Sequence, residues 1–545
     1  CSSDLISVQS GTVTVKNGNV VGGNDYYNIE VTKGSNANLT LTDVAATAGN
    51  TGSSMIDNWG TLTITSGTYT GGLDTVKNEP SAKLNITGGT FTLTKGNSNG
   101  FTGVVFNYGE LTISGGEFIQ SDKSAPYGQA QVIHTDKDKN GSAAPSTVIT
   151  GGTFKNLCTR TTAWTVRATN AADGATKVSG GAFNKEVKDY YCADGFIPTK
   201  NADGTYGVKE GKFVAEVGSK KYETLADAIR LATKGKTVKL LADVEQNTQL
   251  TINKSITLDL NGKTIRNTVD IWGDKANAIL SITNGAKVTI TGNGTIDAKE
   301  NDCYTINVAK GDLTIENGTF YGNVSVVQVE EGTLSVKGGT FDLHQKWEGS
   351  SKYLFNCIDS EFTSGNAKVA ISGGTFVGFD PNVSPEQKVD GKTPSFAAPG
   401  VGITKNENGS FTAAAGMTAQ ILDKDGNSVK AYNTLAEAVA AAQDGQTVRL
   451  LADVTLNEQI ATGKAITIDG QSKYTIKTVK KLASVDGKAG MFYRTQSAKG
   501  TLTFLNVTLD GGGVSKIFLN EGGAGETVFD GVTSTNGGGI AYGSG

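Results

Sequence analysis

Proline, arginine and histidine are scarce in this 545-residue chain, which has 8 Pro, 2 His and only six Arg. So little proline excludes a Pro-rich disordered tract, and 72 Gly without a three-residue period exclude a collagen. The scarcity of Arg, with 49 Lys+Arg against 53 Asp+Glu and a net charge of −4, leaves no basic surface to track phosphates. Nucleic acid is therefore not an expected partner. No stretch approaches the roughly 20 apolar residues that a spanning helix needs, so no transmembrane segment is expected. The five cysteines (Cys1, Cys158, Cys192, Cys303, Cys357) show no C-x-x-C spacing for a metal or redox site.

What is abundant is a short repeat. A Gly-Gly-Thr-Phe signal recurs at Gly88 to Phe91, Gly115 to Phe118, Gly151 to Phe154 and Gly180 to Phe183. It returns ending at Phe320, Phe341 and Phe376, and SGTY ending at Tyr69 is an earlier variant. Successive aromatics are separated by 22, 27, 36 and 29 residues, then by 21 and 35, so a floor of about 21 to 22 carries insertions. Apolar residues alternate with small polar ones within each unit, as in Leu62-Thr63-Ile64, Leu84-Asn85-Ile86 and Leu111-Thr112-Ile113. A period of two marks half-buried strands. Three short strands per repeat, in constant order, describe a parallel β-helix of about 22-residue rungs, an all-β solenoid whose strands pair with their equivalents one rung away. The glycines supply bends that a Cβ would obstruct. Asn58, Asn78 and Asn107 recur at similar phase. They either stack as a ladder of side-chain hydrogen bonds or are simply turn residues bonded locally.

A second, longer repeat lies over the first. Tyr222 to Val244 aligns without a gap to Tyr432 to Val454 at a shift of 210, and Ile403 to Phe411 matches Ile197 to Tyr206 less closely. Both copies carry a Thr three residues before an acid (Thr224 and Asp227, Thr434 and Glu437), the spacing of a capping box. Apolar residues follow at i, i+3, i+4 and i+7. The pattern predicts short amphipathic helices over 224–234 and 434–444, ended by Gly235 and Gly445, each covering the open end of a stack of rungs. Three modules follow: 1–194 without a leading helix, 195–399 and 400–545 each with one, the last looking cut short.

These residues resemble right-handed parallel β-helix proteins of the pectin-lyase-like type, whose N-terminal helix is similar to TLADAIRLATKGKTVKLLADV (Thr224 to Val244). The ISGGTF and ISGGEF rungs look like those of large secreted or cell-surface proteins of Gram-positive, often gut, bacteria. The resemblance implies the handedness and an extracellular or cell-surface setting. It does not imply one activity, because this fold carries lyases, hydrolases and non-catalytic adhesins alike. Cys1 before Ser-Ser-Asp fits the lipidated first residue of a lipoprotein, and equally a processing site or a fragment start.

Candidate chemistry is thin. A galacturonan hydrolase would show clustered Asp with a paired His, and a lyase a calcium-binding carboxylate cluster beside a catalytic cation. The nearest approach is Asp270, Asp274, Asp297, Glu300 and Asp302 around Trp272, which reads as well as acids on solvated turns. Asp136, Asp138 and Asn140 stand at the first spacings of a Ca2+ loop, but Thr147 occupies the twelfth position where a bidentate Glu belongs. No cofactor is therefore expected beyond that weak calcium candidate. Aromatic residues are the better lead, since rings suit the CH faces of sugars. Trp59 and Tyr108 share a phase two rungs apart, about 10 Å from one another. His344, Trp347 and Tyr353 sit in an inserted segment, and Trp164 in another. Cys158 and Cys192, near consecutive rungs, are close enough for a disulfide in a secreted protein, whereas Cys303 and Cys357 should be buried thiols.

The expectation is an extracellular, non-catalytic structural or adhesive solenoid that presents loops to glycans or to host or cell-surface proteins, with end-to-end self-association as an extra. The alternative is a carbohydrate-active enzyme, a polysaccharide lyase or glycoside hydrolase.

Overall fold

The computed structural model describes residues 5–22, 26–33, 36–49, 52–95, 102–125, 131–137, 144–273, 276–298, 303–344, 353–383, 393–482, 490–521, 525–537 and 541–544. The chain is almost entirely β and divides into two compact units, Cys1–Lys212 and Phe213–Gly545.

In unit 1 the chain visits three parallel sheets in turn, so that each strand pairs with the third strand after it. This pattern is compatible with a β-solenoid. Ile56–Asn58, Val76–Asn78 and Gly103–Asn107 are consecutive in the first sheet, Thr61–Ile64, Lys83–Ile86 and Glu110–Ile113 in the second, and Gly67–Thr70, Thr90–Leu93 and Glu117–Gln120 in the third. The alternation seen in the sequence sets the register. Leu62, Leu84 and Leu111 pair across the second sheet, as do Ile64, Ile86 and Ile113, and all six are buried.

The Gly-Gly-Thr-Phe signal has a steric origin. A Cβ on the first glycine would lie 2.3 Å from a backbone carbonyl of the neighbouring strand's turn at Gly88, Gly115 and Gly151. The second glycine holds a positive φ of 102 to 104° at Gly89, Gly116, Gly152 and Gly181. This bend delivers the aromatic into the interior, where Tyr69, Phe91, Phe118, Phe154 and Phe183 form one column. Successive ring centroids are 4.7 to 5.0 Å apart and the planes lie within 10° of parallel. The asparagines form the expected ladder. Asn58 donates to Asn78, and Asn78 to Asn107, both at 2.7 Å, and Asn107 donates to the Thr147 hydroxyl at 2.9 Å. The third sheet then ends on a hairpin, Phe196–Lys200 with Tyr206–Glu210, laid antiparallel so that Tyr206 faces Phe183.

Unit 2 holds two such sets of parallel sheets, each with its own apolar core. Each set begins with an antiparallel strand pair (Ala215–Val217 with Lys220–Tyr222, and Ala419–Leu422 with Ser428–Tyr432) that also pairs antiparallel with the first strand of its set. A short helix follows, α1 (Leu225–Leu231) in the first set; α2 (Asp359–Ser364) lies in an insertion, and α3 (Leu435–Ala441) follows the second pair. Thr224 accepts the Asp227 amide, and Thr434 and Glu437 form a full capping box. Both helices are shorter than the expected 224–234 and 434–444. The chain turns to extended geometry at Ala232 and Ala442, each buried at 1% exposure, and Gly235 and Gly445 take up positive φ in the turn beyond. The first set ends as unit 1 does, on a hairpin (Val401–Lys405 with Ser410–Ala415) lying antiparallel on Gly373–Val377, with Phe411 opposite Phe376. Among the described residues no helix is long and apolar enough to cross a membrane.

Candidate functional site

Two places bring chemistry-bearing side chains together. In unit 2, the strands of one sheet carry an outward row in which Arg266 pairs with Asp297, Asp297 with Tyr321 and Tyr321 with Asp342. His344 lies just past the last of these strands, and its backbone amide donates to the Gly322 carbonyl. Its Nε2 lies 2.6 Å from Asp297 Oδ1, and its ring stacks on Tyr321 with centroids 5.0 Å apart and planes 21° from parallel. Both members of the His–Asp pair remain about one-third exposed, at 37% and 35%. A carboxylate, an oriented imidazole and a half-buried tyrosine ring thus stand together on one face. Such a set can stack on a sugar ring and accept its hydroxyls, and an Asp-oriented His is also the core of a general base.

Of the residues singled out in the sequence, Asp297 and His344 are brought into contact. Asp270 is exposed, and Trp272, 49% exposed, meets Tyr304 edge to face. Tyr353 is half-buried just before the strand Phe355–Cys357. Asp274, Glu300, Asp302 and Trp347 lie outside the described residues. Tyr321 was missed, although its place directly after Phe320 makes it the outward neighbour of an inward aromatic.

In unit 1, Trp59 and Tyr108 follow Asn58 and Asn107 at the same corner, with Glu79 between them in the row. Their rings are engaged within the protein. Lys33 sits 4.7 Å from the Trp59 ring and Lys77 5.8 Å from the Tyr108 ring, while Phe106 packs against Tyr108 at 4.8 Å. Beneath them is a buried charge cluster that sequence reading missed. Asp57 (1% exposed) accepts the Trp59 indole N–H at 2.8 Å, and Glu79 (5% exposed) pairs with Lys77. Burial, then the neighbouring charge of Glu79, holds the Asp57 carboxyl well above the usual range against the pull of Lys77. Burial likewise raises Asp74 to about 7, although it accepts the Gly103 amide. His134, in the same sheet, is pushed down to about 3 by burial and then by Arg167, so its imidazole is neutral. Trp164 lines a hollow of about 250 Å³ with Arg167, Tyr190 and Tyr191.

The calcium-loop reading places Asp136 in a strand, buried, with Oδ1 accepting from Lys137 N and Asn170 Nδ2. Thr147, in the twelfth slot, is tied to Thr135 and Asn107 inside the next sheet. Asp138 and Asn140 lie outside the described residues, and among those described no three His, Cys, Asp or Glu gather as a metal site.

The expected Cys158–Cys192 disulfide is corrected: both are free thiols. Cys158 follows a third-sheet strand and points its Sγ toward the Ala125 carbonyl, whereas Cys192 pairs beside Val178 at the end of the second sheet and points toward the Lys188 carbonyl. They belong to different sheets, and burial pushes the Cys192 thiol up to about 11. Cys303 and Cys357 are buried, at 0% and 3% exposure.

No known protein-family description matches the chain, and no curated protein matches it either.

Proposed function

We propose that the protein is an extracellular, non-catalytic structural or adhesive solenoid, a right-handed parallel β-helix of the pectin-lyase-like kind, that contacts glycans through the Asp297, Tyr321 and His344 face. In this reading the strand pairs and helices α1 and α3 close the first rung of each set, where apolar interior and unpaired edges otherwise meet water. The observation that carries the binding role is the partly exposed His344–Tyr321 ring stack held beside the Asp297 carboxylate. The rows of stacked strands supply a rigid base for it. Contact with proteins and with further copies of the chain belongs to the same reading.

The test is binding of the full chain to a glycan array, followed by titration of the best ligand. Tyr321→Ala and Asp297→Ala should each weaken binding about tenfold or more, with circular dichroism unchanged. Binding that neither substitution alters removes the site from the reading.

The second reading is a carbohydrate-active enzyme, favoured by the His344–Asp297 contact, since a carboxylate that orients an imidazole serves proton transfer. Turnover of a polysaccharide that is lost in His344→Ala or Asp297→Asn selects it over adhesion.

A further inference from the structure

One inner corner is built three ways. In unit 1 the last inward residue of the first-sheet strands is Asn58, Asn78 or Asn107, and these amides satisfy one another. In the first set of unit 2 the equivalent residues are Ile282, Val308 and Val329, all at 0% exposure, and need no partner. In the second set they are Thr462, Arg494 and Asn520, paired in register. Arg494 lies on the same side of its strand as the core residue Phe492 and has no exposed surface. Its Nη2 donates to the Gly500 carbonyl at 2.8 Å, but Nε and Nη1 have no partner. One strand further, the Asn520 Oδ1 and the Thr527 Oγ1 are also buried without a partner. Thr527 pairs with Leu502, two residues beyond Gly500, so all four atoms belong to the same corner. The matching pair in unit 1, Thr135 and Thr147, is bonded at 2.6 Å.

A guanidinium stays charged at any physiological pH, and an isolated buried charge is far too costly to persist without a counter-charge. Among the described residues of unit 2 no carboxylate is buried. We propose that this corner is a binding site for a small inorganic anion of halide size, held against the Arg494 guanidinium with the Thr527 hydroxyl and the side-chain amide of Asn520, turned to present its NH2. The amide rotation costs nothing sterically, since the two orientations occupy the same space. A halide suits the corner because it gives up its water cheaply and accepts donors from several directions without fixed geometry.

The experiment is thermal unfolding of the full chain in sodium bromide against sodium gluconate at equal ionic strength. The transition of the native protein should rise with bromide concentration by about 2–4 °C. It should be flat in Arg494→Met. Should that variant not fold, Asn520→Asp decides the matter, because it sets an internal carboxylate in register with Arg494: it should keep the circular dichroism of the native protein and lose the bromide response. Bromide bound in crystals should give an anomalous scattering peak beside Arg494. A native protein indifferent to bromide, or a response that persists unchanged in Asn520→Asp, overturns the proposal.

Discussion

Asn78 accepts a hydrogen bond from Asn58 and donates one to Asn107, each at 2.7 Å, so that three neighbouring strands of the first sheet of unit 1 share one chain of amides. The same amides also reach the carbonyls of Lys83, Glu110 and Ser146 across the corner. Asn78→Val leaves one N–H of Asn58 buried and unmet and removes one of two donors to the Asn107 Oδ1, the Gly109 amide remaining, and should cost about 1–3 kcal/mol in urea unfolding followed on unit 1. The apolar column at the same corner of unit 2 sets the control. Replacing Asn58, Asn78 and Asn107 together by Ile or Val should recover only part of the loss, because no asparagine amide is then left without its neighbour while the Gly60 and Gly109 amides still lose their acceptors.

The paired glycines make a sharper steric prediction. A methyl group at Gly115 meets the Thr87 carbonyl at 2.3 Å, a backbone atom that no side-chain rotation can move. At Gly174 a methyl group meets nothing within 4 Å, although φ is +78° there. Gly115→Ala should therefore lower the unfolding temperature of unit 1 well beyond Gly174→Ala, which bears only the strain of its backbone angle. Equal effects from the two substitutions would show that close stacking at the bend is unimportant.

Asp57 and Asp74 predict how unit 1 responds to pH. Both carboxyls are held above their unfolded values, chiefly by burial, Asp74 to about 7. Between the unfolded value near 4 and about 7 the folded state therefore binds more protons than the unfolded chain. Stability should fall as pH rises through that window and level off above it. Urea midpoints from pH 4 to pH 8 should show this slope in the native protein. It should be shallower in Asp57→Asn and Asp74→Asn, and shallowest when both are changed.

The free thiols give a chemical check. In denaturant without reductant, the peptides containing Cys158 and Cys192 should both be alkylated in full, and reductant should not move the melting temperature of unit 1. A mass two units lower on the combined peptides would restore the bridge.

The legible parts of the fold were those written in local alternation. Leu62-Thr63-Ile64 and Leu111-Thr112-Ile113 announce strands because side chains alternate across a sheet, and Gly-Gly before an aromatic announces the bend for the steric reason found at Gly88 and Gly89. Alternation says nothing about the direction in which a strand pairs. The hairpins at Phe196–Lys200 with Tyr206–Glu210 and at Val401–Lys405 with Ser410–Ala415 therefore appeared in the sequence only as a repeated segment. Insertions hid the rest. Intervals of 36 and 29 residues conceal which sheet follows which cysteine, so Cys158 and Cys192 looked adjacent when they lie in different sheets. The Asp57 and Glu79 carboxyls sit one position before and one after their respective asparagines, a relation no spacing motif expresses. Contact between Asp297 and His344 spans 47 residues and exists only once three strands are in register.

The antiparallel hairpins carry one more implication. Each hairpin covers the free edge of the last parallel strand of its sheet with a strand of opposite direction, so the hairpins at Tyr206 and Phe411 act as full stops in the parallel pairing. Whatever lies between two of them can be copied, deleted or exchanged as a cassette without shifting the pairing of a single strand elsewhere, which makes length itself a freely adjustable property of a chain built this way.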